Sequence, residues 1–198
     1  MPLRLISRDD PLRRDAEDHI RRVYREHFGA LVPVFSDSLV VRTDEAGGVC
    51  CAAGLRWGRE PFFLERYFDG AAEAAASRTL GRPVDRRELF EVSTLACGDP
   101  GKAIPFVFDV MERARLSGYT AVMFTATGRL RRLLARYGVA SRTVCPADPG
   151  RLGAVGHWGS YYALDPHVCV AQDETPPPAP GPASAAISQS RYLRRSWA

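Results

Sequence analysis

Apolar and polar positions alternate along the chain in a way that predicts interleaved helices and strands. From Asp15, the residues Ala16, Ile20, Val23, Tyr24 and His27 recur at helical spacing, with Arg21, Arg22 and Arg25 outward. Gly29 is a natural stop for that helix. Residues 38–43 and 49–55 read as two strands flanking Gly47-Gly48, a hairpin signal. Residues 62–69, FFLERYFD, place Phe63 and Tyr67 on one helical stripe, and 71–80 form a helix closed by Gly81-Arg82-Pro83. Residues 89–96 have strand character. Simple alternation puts Leu89, Glu91, Ser93 and Leu95 on one face and Phe90, Val92, Thr94 and Ala96 on the other. An amphipathic helix over 104–116 stops at Gly118, and 120–125 is an apolar run of strand length. Strand, helix and strand so close together imply a crossover between parallel neighbours. Leu130, Leu133, Leu134 and Tyr137 mark another helix, followed by a short strand at 139–144 and a turn region at 146–153. Residues 158–164 and 167–171 are expected to close the fold as a hairpin about Asp165-Pro166.

Composition sets the boundaries of this picture. A chain of 198 residues with 45% hydrophobic and 25% charged residues can bury a core as one domain. Residues 1–14 are charged and interrupted by proline, and read as a loose arm. The domain then spans 15–171, and the proline-rich tail over 172–198 is expected to be disordered. A net charge of +4 is too mild to argue for nucleic-acid binding. The five cysteines match no metal-binding spacing, so no metal is expected. No secretory signal opens the chain and no run of ~18 apolar residues would span a membrane, which points to a cytoplasmic protein with reduced thiols.

Candidate chemistry concentrates in residues 89–108. Glu91 is a carboxylate among apolar strand neighbours, an environment that is costly without partners. Gly98 and Gly101 allow a tight turn, and the helix that follows offers unpaired N–H groups suited to a phosphate. The same residues also suit an ordinary strand–turn–helix unit with no ligand. Arg56 ends the second strand, where a solvated arginine is the commoner case. His27 reads as a helix-end histidine.

Several pieces taken in order resemble the thermostable haemolysin family. They are HFGA at 27–30, AAGLR ending at Arg56, PFFLERYFD at 61–69, EVSTLA at 91–96, MFTATGRLRRLL at 123–134, the region of Asp148 and Arg151, and HWGSYYALDPHV at 157–168. That family is similar to the Gcn5-related N-acyltransferases and, more narrowly, to acyl-homoserine lactone synthases. The resemblance implies an α/β (α+β) fold with a mixed central sheet, flanking helices and a splayed parallel strand pair. Thr94 stands where those synthases carry an arginine, and Gly98 where the superfamily's pyrophosphate loop has glutamine or arginine.

The activity implied is transfer of an acyl group from an acyl thioester, on coenzyme A or an acyl carrier protein, to the amine of a small acceptor. Glu91 would be the base, with Tyr161 or Tyr162 protonating the leaving thiolate. Leu95, Ala96, Gly98, Gly101, Lys102 and Ala103 would contact the donor. Arg56, Ser93, Thr125, Asp148 and Trp158 would contact the acceptor. The family name adds a membrane-active, haemolytic alternative, and a non-catalytic acyl-thioester-binding module is a third.

Overall fold

The structure is a computed structural model that describes residues 3–153 and 157–172. Among the described residues seven strands form one sheet: β1 (Leu3–Ile6), β2 (Ser38–Thr43), β3 (Val49–Trp57), β4 (Leu89–Cys97), β5 (Ala121–Ala126), β6 (Ser141–Pro146) and β7 (His167–Gln172). Their spatial order is β1-β2-β3-β4-β5-β7-β6, with β4 and β5 parallel and every other pair antiparallel. The helices are α1 (Arg13–Phe28), α2 (Ala72–Leu80), α3 (Pro100–Leu116) and α4 (Gly128–Arg136). The fold is therefore a mixed α/β sheet with a central parallel pair.

Apolar side chains cover both faces of the sheet. On one face Phe106, Val110 and Ala114 of α3 and Leu134 of α4 pack on Phe90, Val122 and Ala53. On the other, Ala16, Ile20 and Val23 of α1 pack on Leu39, Val41 and Ala52. Beside them Ala72, Ala76 and Leu80 of α2 cover Leu89, Met123 and Val170. Gly29 and Gly81 close α1 and α2 in left-handed conformations, as their positions predict.

Three expectations need correction. Residues 3–6 are not part of a loose arm: they pair antiparallel with β2, and Ile6 is buried against α1. The arm is short because α1 starts at Arg13, whose guanidinium donates to the Ser36 and Asp37 carbonyls at 2.7 and 2.8 Å. Residues 158–164 are not a strand. Tyr161–Leu164 is a short 3-10 helix ending at Asp165, which is left-handed with φ 54°, and β7 pairs instead with β5 and β6. Burying Tyr161 against α1 directs this segment away from the sheet edge. Phe63–Tyr67 is also a 3-10 helix, shorter than the predicted stripe. The expected tail lies, from residue 173 on, outside the described residues.

Gly58 lets the end of β3 approach the segment before β4. A Cβ there would lie 1.8 Å from the Arg86 carbonyl oxygen. That contact is with backbone, which cannot rotate away. Gly58→Ala is expected to cost about 1–3 kcal/mol or more through forced backbone displacement, read as a lower urea midpoint than that of the parent protein.

Candidate active site

Strands β4 and β5 stay in register only from Leu89↔Ala121 to Val92↔Phe124. Beyond that point β4 remains with β3 as far as Cys97, while β5 remains with β7 as far as Ala126. Each strand keeps its outer partner and loses its inner one, so a gap opens at their carboxyl ends. In open α/β sheets that is the usual place for a ligand.

The divergence coincides with a β-bulge. Between the pairs Ala52↔Ala96 and Gly54↔Ser93, β3 contributes one residue and β4 two. Thr94 takes φ 47°, unusual for a β-branched residue. A bulge bends its strand and resets the alternation of side chains. Leu95 accordingly packs with Val92 and Cys97 toward α3, and Ala96 packs toward α1. Simple alternation predicts the reverse grouping for Leu95.

The gap leads into a slot of ≈ 460 Å³. Arg56, Glu91, Ser93, Leu95, Ala103, Thr125, Trp158 and Tyr161 all line it, so eight of the residues singled out in the sequence meet there. A smaller cavity of ≈ 40 Å³ with wholly apolar walls adjoins it, sharing Val92, Leu95 and Leu130.

Glu91 is 2% exposed and accepts three hydrogen bonds. The Phe63 N–H donates to Oε2 at 2.7 Å, the Leu64 N–H to Oε1 at 3.0 Å, and Arg56 Nη1 to Oε2 at 3.1 Å. Arg56 Nη1 also lies 3.3 Å from Ser93 Oγ. A carboxylate offers about four acceptor positions, so one remains after these three. Burial pushes the Glu91 carboxyl above the ordinary carboxylate range, against the opposing pull of Arg56 and the two amides.

Aromatic rings line much of the slot beside Glu91. Phe28 and Tyr161 have centroids 5.3 Å apart, Trp158 and Tyr161 5.9 Å, and Phe63 and Trp158 6.2 Å. The Tyr161 hydroxyl lies 3.5 Å from the Thr125 carbonyl, just past the divergence of the strands. Burial raises its pKa well above the usual tyrosine value, so it stays protonated at neutral pH. Tyr162 does not line the slot; its hydroxyl meets that of Tyr67 at 2.6 Å.

Other expected contacts fall elsewhere. Asp148 is exposed and caps the 3-10 turn Pro149–Leu152 by accepting from the Gly150 N–H at 2.8 Å. Gly98 N–H donates to the Cys50 carbonyl at 3.2 Å. Gly101 N–H donates to Asp99 Oδ1 at 2.8 Å, and Lys102 N–H to the Asp99 carbonyl at 3.0 Å. Asp99 thus occupies the start of α3, and Gly98, Gly101 and Lys102 do not line the slot. Because Gly98 bonds to Cys50, the pair Cys51↔Cys97 does not exchange hydrogen bonds, and Ala52↔Ala96 does. The Ala96 N–H belongs to the sheet, and Leu95, one of the two bulge residues, lines the slot. Sequence reasoning placed Tyr24, Phe63 and Tyr67 on helical stripes and did not single out Phe28, yet all four line the slot. The aromatic density of 62–69 is the signal that marks two of them. His27 reaches the slot from the end of α1. Among the described residues no cluster of His, Cys, Asp and Glu is placed to hold a metal ion.

The raised Glu91 pKa fixes the sign of a pH effect. The folded protein binds this proton more tightly than the unfolded chain, so stability falls as pH rises from the ordinary carboxylate value through the folded one. Urea midpoints measured across that interval should therefore fall for the parent protein relative to Glu91→Gln. A parallel pair of curves would contradict the assignment.

Comparisons with known proteins agree with this architecture. The acyl-homoserine lactone synthase LasI superposes with TM-score 0.58 at 11% identity, covering 86% of this chain and 88% of that one. FeeM, an N-acyl amino acid synthase from uncultured soil microbes, gives 0.55 at 15% identity, covering 86% and 94%. A GCN5-related N-acetyltransferase from Kribbella flavida gives 0.50 at 11% identity, covering 86% and 98%. The fold is thus that of the Gcn5-related acyltransferases. Among the curated proteins no sequence matches this chain. At the level of sequence, the thermostable hemolysin model matches residues 6–175, and the chain belongs to that family.

Proposed function

We propose that this protein transfers an acyl group from an acyl thioester to the amine of a small, carboxylate-bearing acceptor. The observation that carries this reading is the opening between β4 and β5 beside a buried carboxylate that retains one free acceptor position. The donor's pantetheine arm runs between the diverging strands, and its thioester carbonyl faces the Leu95 N–H. The acyl tail enters the adjoining apolar cavity beneath α3 and α4. The acceptor amine approaches from the aromatic wall, and Arg56 draws in its carboxylate.

In the reaction, an ammonium loses one proton before attack and a second as the tetrahedral intermediate collapses. Glu91 takes the first. The C–N bond forms, the oxyanion is met by the Leu95 amide, and the C–S bond breaks. Tyr161 protonates the departing thiolate and is restored by the second amine proton. The products are an amide and a free thiol. Tyr162, whose hydroxyl is paired with that of Tyr67, is given no part in this step.

The start of α3 favours a donor with a single phosphodiester. Asp99 places a negative charge there and uses the Gly101 and Lys102 amides that a pyrophosphate would need. An acyl carrier protein suits this better than free coenzyme A.

The direct test offers the protein acyl thioesters with a panel of amino acids and other amines, with products read by mass spectrometry. Amide formation is expected, with Glu91→Gln slower by about 10²–10⁴-fold and lacking the loss of rate that the parent shows as pH falls through the Glu91 pKa. Retained thioester without product, or full activity in Glu91→Gln with the fold intact, would overturn the reading. Asp99→Asn keeps a capping side chain but removes the charge. It is expected to lower KM for acyl-coenzyme A a few-fold while leaving KM for the carrier-bound donor unchanged, as measured by initial rates with each donor.

A further inference from the structure

The slot has a chemical feature that acyl transfer does not use. Cys97, the last residue of β4, lines the slot and is partly exposed. Directly across the ladder lies Cys51 of β3, fully buried. The hydrogen bond from Gly98 N–H to the Cys50 carbonyl makes Cys51↔Cys97 a pair that does not exchange backbone hydrogen bonds. Such pairs bring their Cα atoms to about 4.5 Å, with side chains close together on one face. That separation falls at the short end of the roughly 4.4–6.8 Å range for disulfides. The two thiols lie close enough for each to shift the other's titration, and Cys51 Sγ sits beneath the first turn of α3, 4.0 Å from the Lys102 carbonyl.

We propose that Cys51 and Cys97 form a dithiol site that clears thiol adducts from the slot by closing into a reversible cross-strand disulfide. The co-reactant is a small disulfide, RSSR. The Cys97 sulfur attacks it, the S–S bond of RSSR breaks, and the departing RS⁻ takes up the Cys97 proton as RSH. The Cys51 sulfur then attacks the adducted Cys97 sulfur and expels the second RS⁻. The two protein protons end on the departing groups, so two protein thiols and RSSR give one protein disulfide and two RSH. Only the first step needs access from outside, and Cys97 has it. The second is intramolecular, which suits the buried Cys51. The interaction with Cys97, with Arg42 and Lys102 nearby, lowers the pKa of the Cys51 thiol despite burial, while the same interaction and burial raise that of Cys97, so the first attack is the slow step and the second is favoured. This inference stands apart from the acyl-transfer reading, since it requires only that Cys97 face the slot.

The test treats the folded full-length protein with oxidised glutathione, alkylates free thiols and maps tryptic peptides without reduction. The expected product joins residues 43–56 to residues 88–102, forms equally in Cys50→Ser and is reversed by dithiothreitol. Cys51→Ser should instead retain glutathione on Cys97. Because Cys51 is buried and its replacement can disturb folding, the parent protein alone is decisive. Stable glutathione on its Cys97, a bridge confined to residues 43–56 between Cys50 and Cys51, or an unreacted Cys97 would each overturn the proposal.

Discussion

The architecture of the site depends on how one buried carboxylate is satisfied. Glu91 is an ionisable group on a central strand, and an unpaired charge there would cost several kcal/mol. Three donors prevent this, and they come from two different parts of the chain: Arg56 from β3, and the Phe63 and Leu64 amides from the turn that follows. Satisfying the charge therefore docks the 61–67 segment onto the sheet and fixes Arg56 beside Ser93. A second anchor holds the far side of the same segment. Arg86 pairs with Glu65, while the Glu65 carboxylate accepts from the Phe62 and Ala72 amides. Burial works to raise the Glu65 pKa, but these bonds together hold it below the usual range.

The bulge at Thr94 supplies the other half. A regular β4 would continue its register with β5 and close the gap with backbone hydrogen bonds. The extra residue bends β4 and turns Leu95 and Cys97 to the α3 side. Gly54, opposite the bulge, is needed for close approach: a Cβ there would meet the Ser36 and Ser93 hydroxyls at 2.6 Å each. Charge pairing on one side and backbone irregularity on the other thus produce a slot with a carboxylate, an arginine and the bulged backbone of β4 in one place. Aromatic rings from α1 and the 157–162 segment complete its wall.

The elements were legible from periodicity wherever one face of a helix or strand meets the core. That covers α1, α2, the β2–β3 hairpin, β4, α3, β5 and α4, whose stops at Gly29, Gly81 and Gly118 have a local steric cause. Leu3–Ile6 was hidden because four residues are too few to show alternation, and its partner β2 lies more than thirty residues away. The 158–164 segment carries β-forming aromatics, but their burial against α1 is a tertiary effect that overrides local preference. In the site, Glu91 and Arg56 were readable as charges out of place in apolar strands. The placement of Asp148 and Tyr162 outside the slot lining was not, since each makes a hydrogen bond within its own segment or to a distant tyrosine. Nor does alternation foresee a bulge, which is why Leu95 and Ala96 exchange the faces expected of them.

The central claim is that the gap between β4 and β5 receives a thioester carbonyl within reach of Glu91. A crystal structure with a non-hydrolysable acyl-pantetheine thioether tests it most directly. The account predicts the pantetheine arm lying between Ser93–Cys97 and Thr125, its carbonyl hydrogen-bonded to the Leu95 N–H and its acyl tail between α3 and the sheet. A ligand bound elsewhere, with Val92, Leu95 and Phe124 packed shut across the gap, would contradict it.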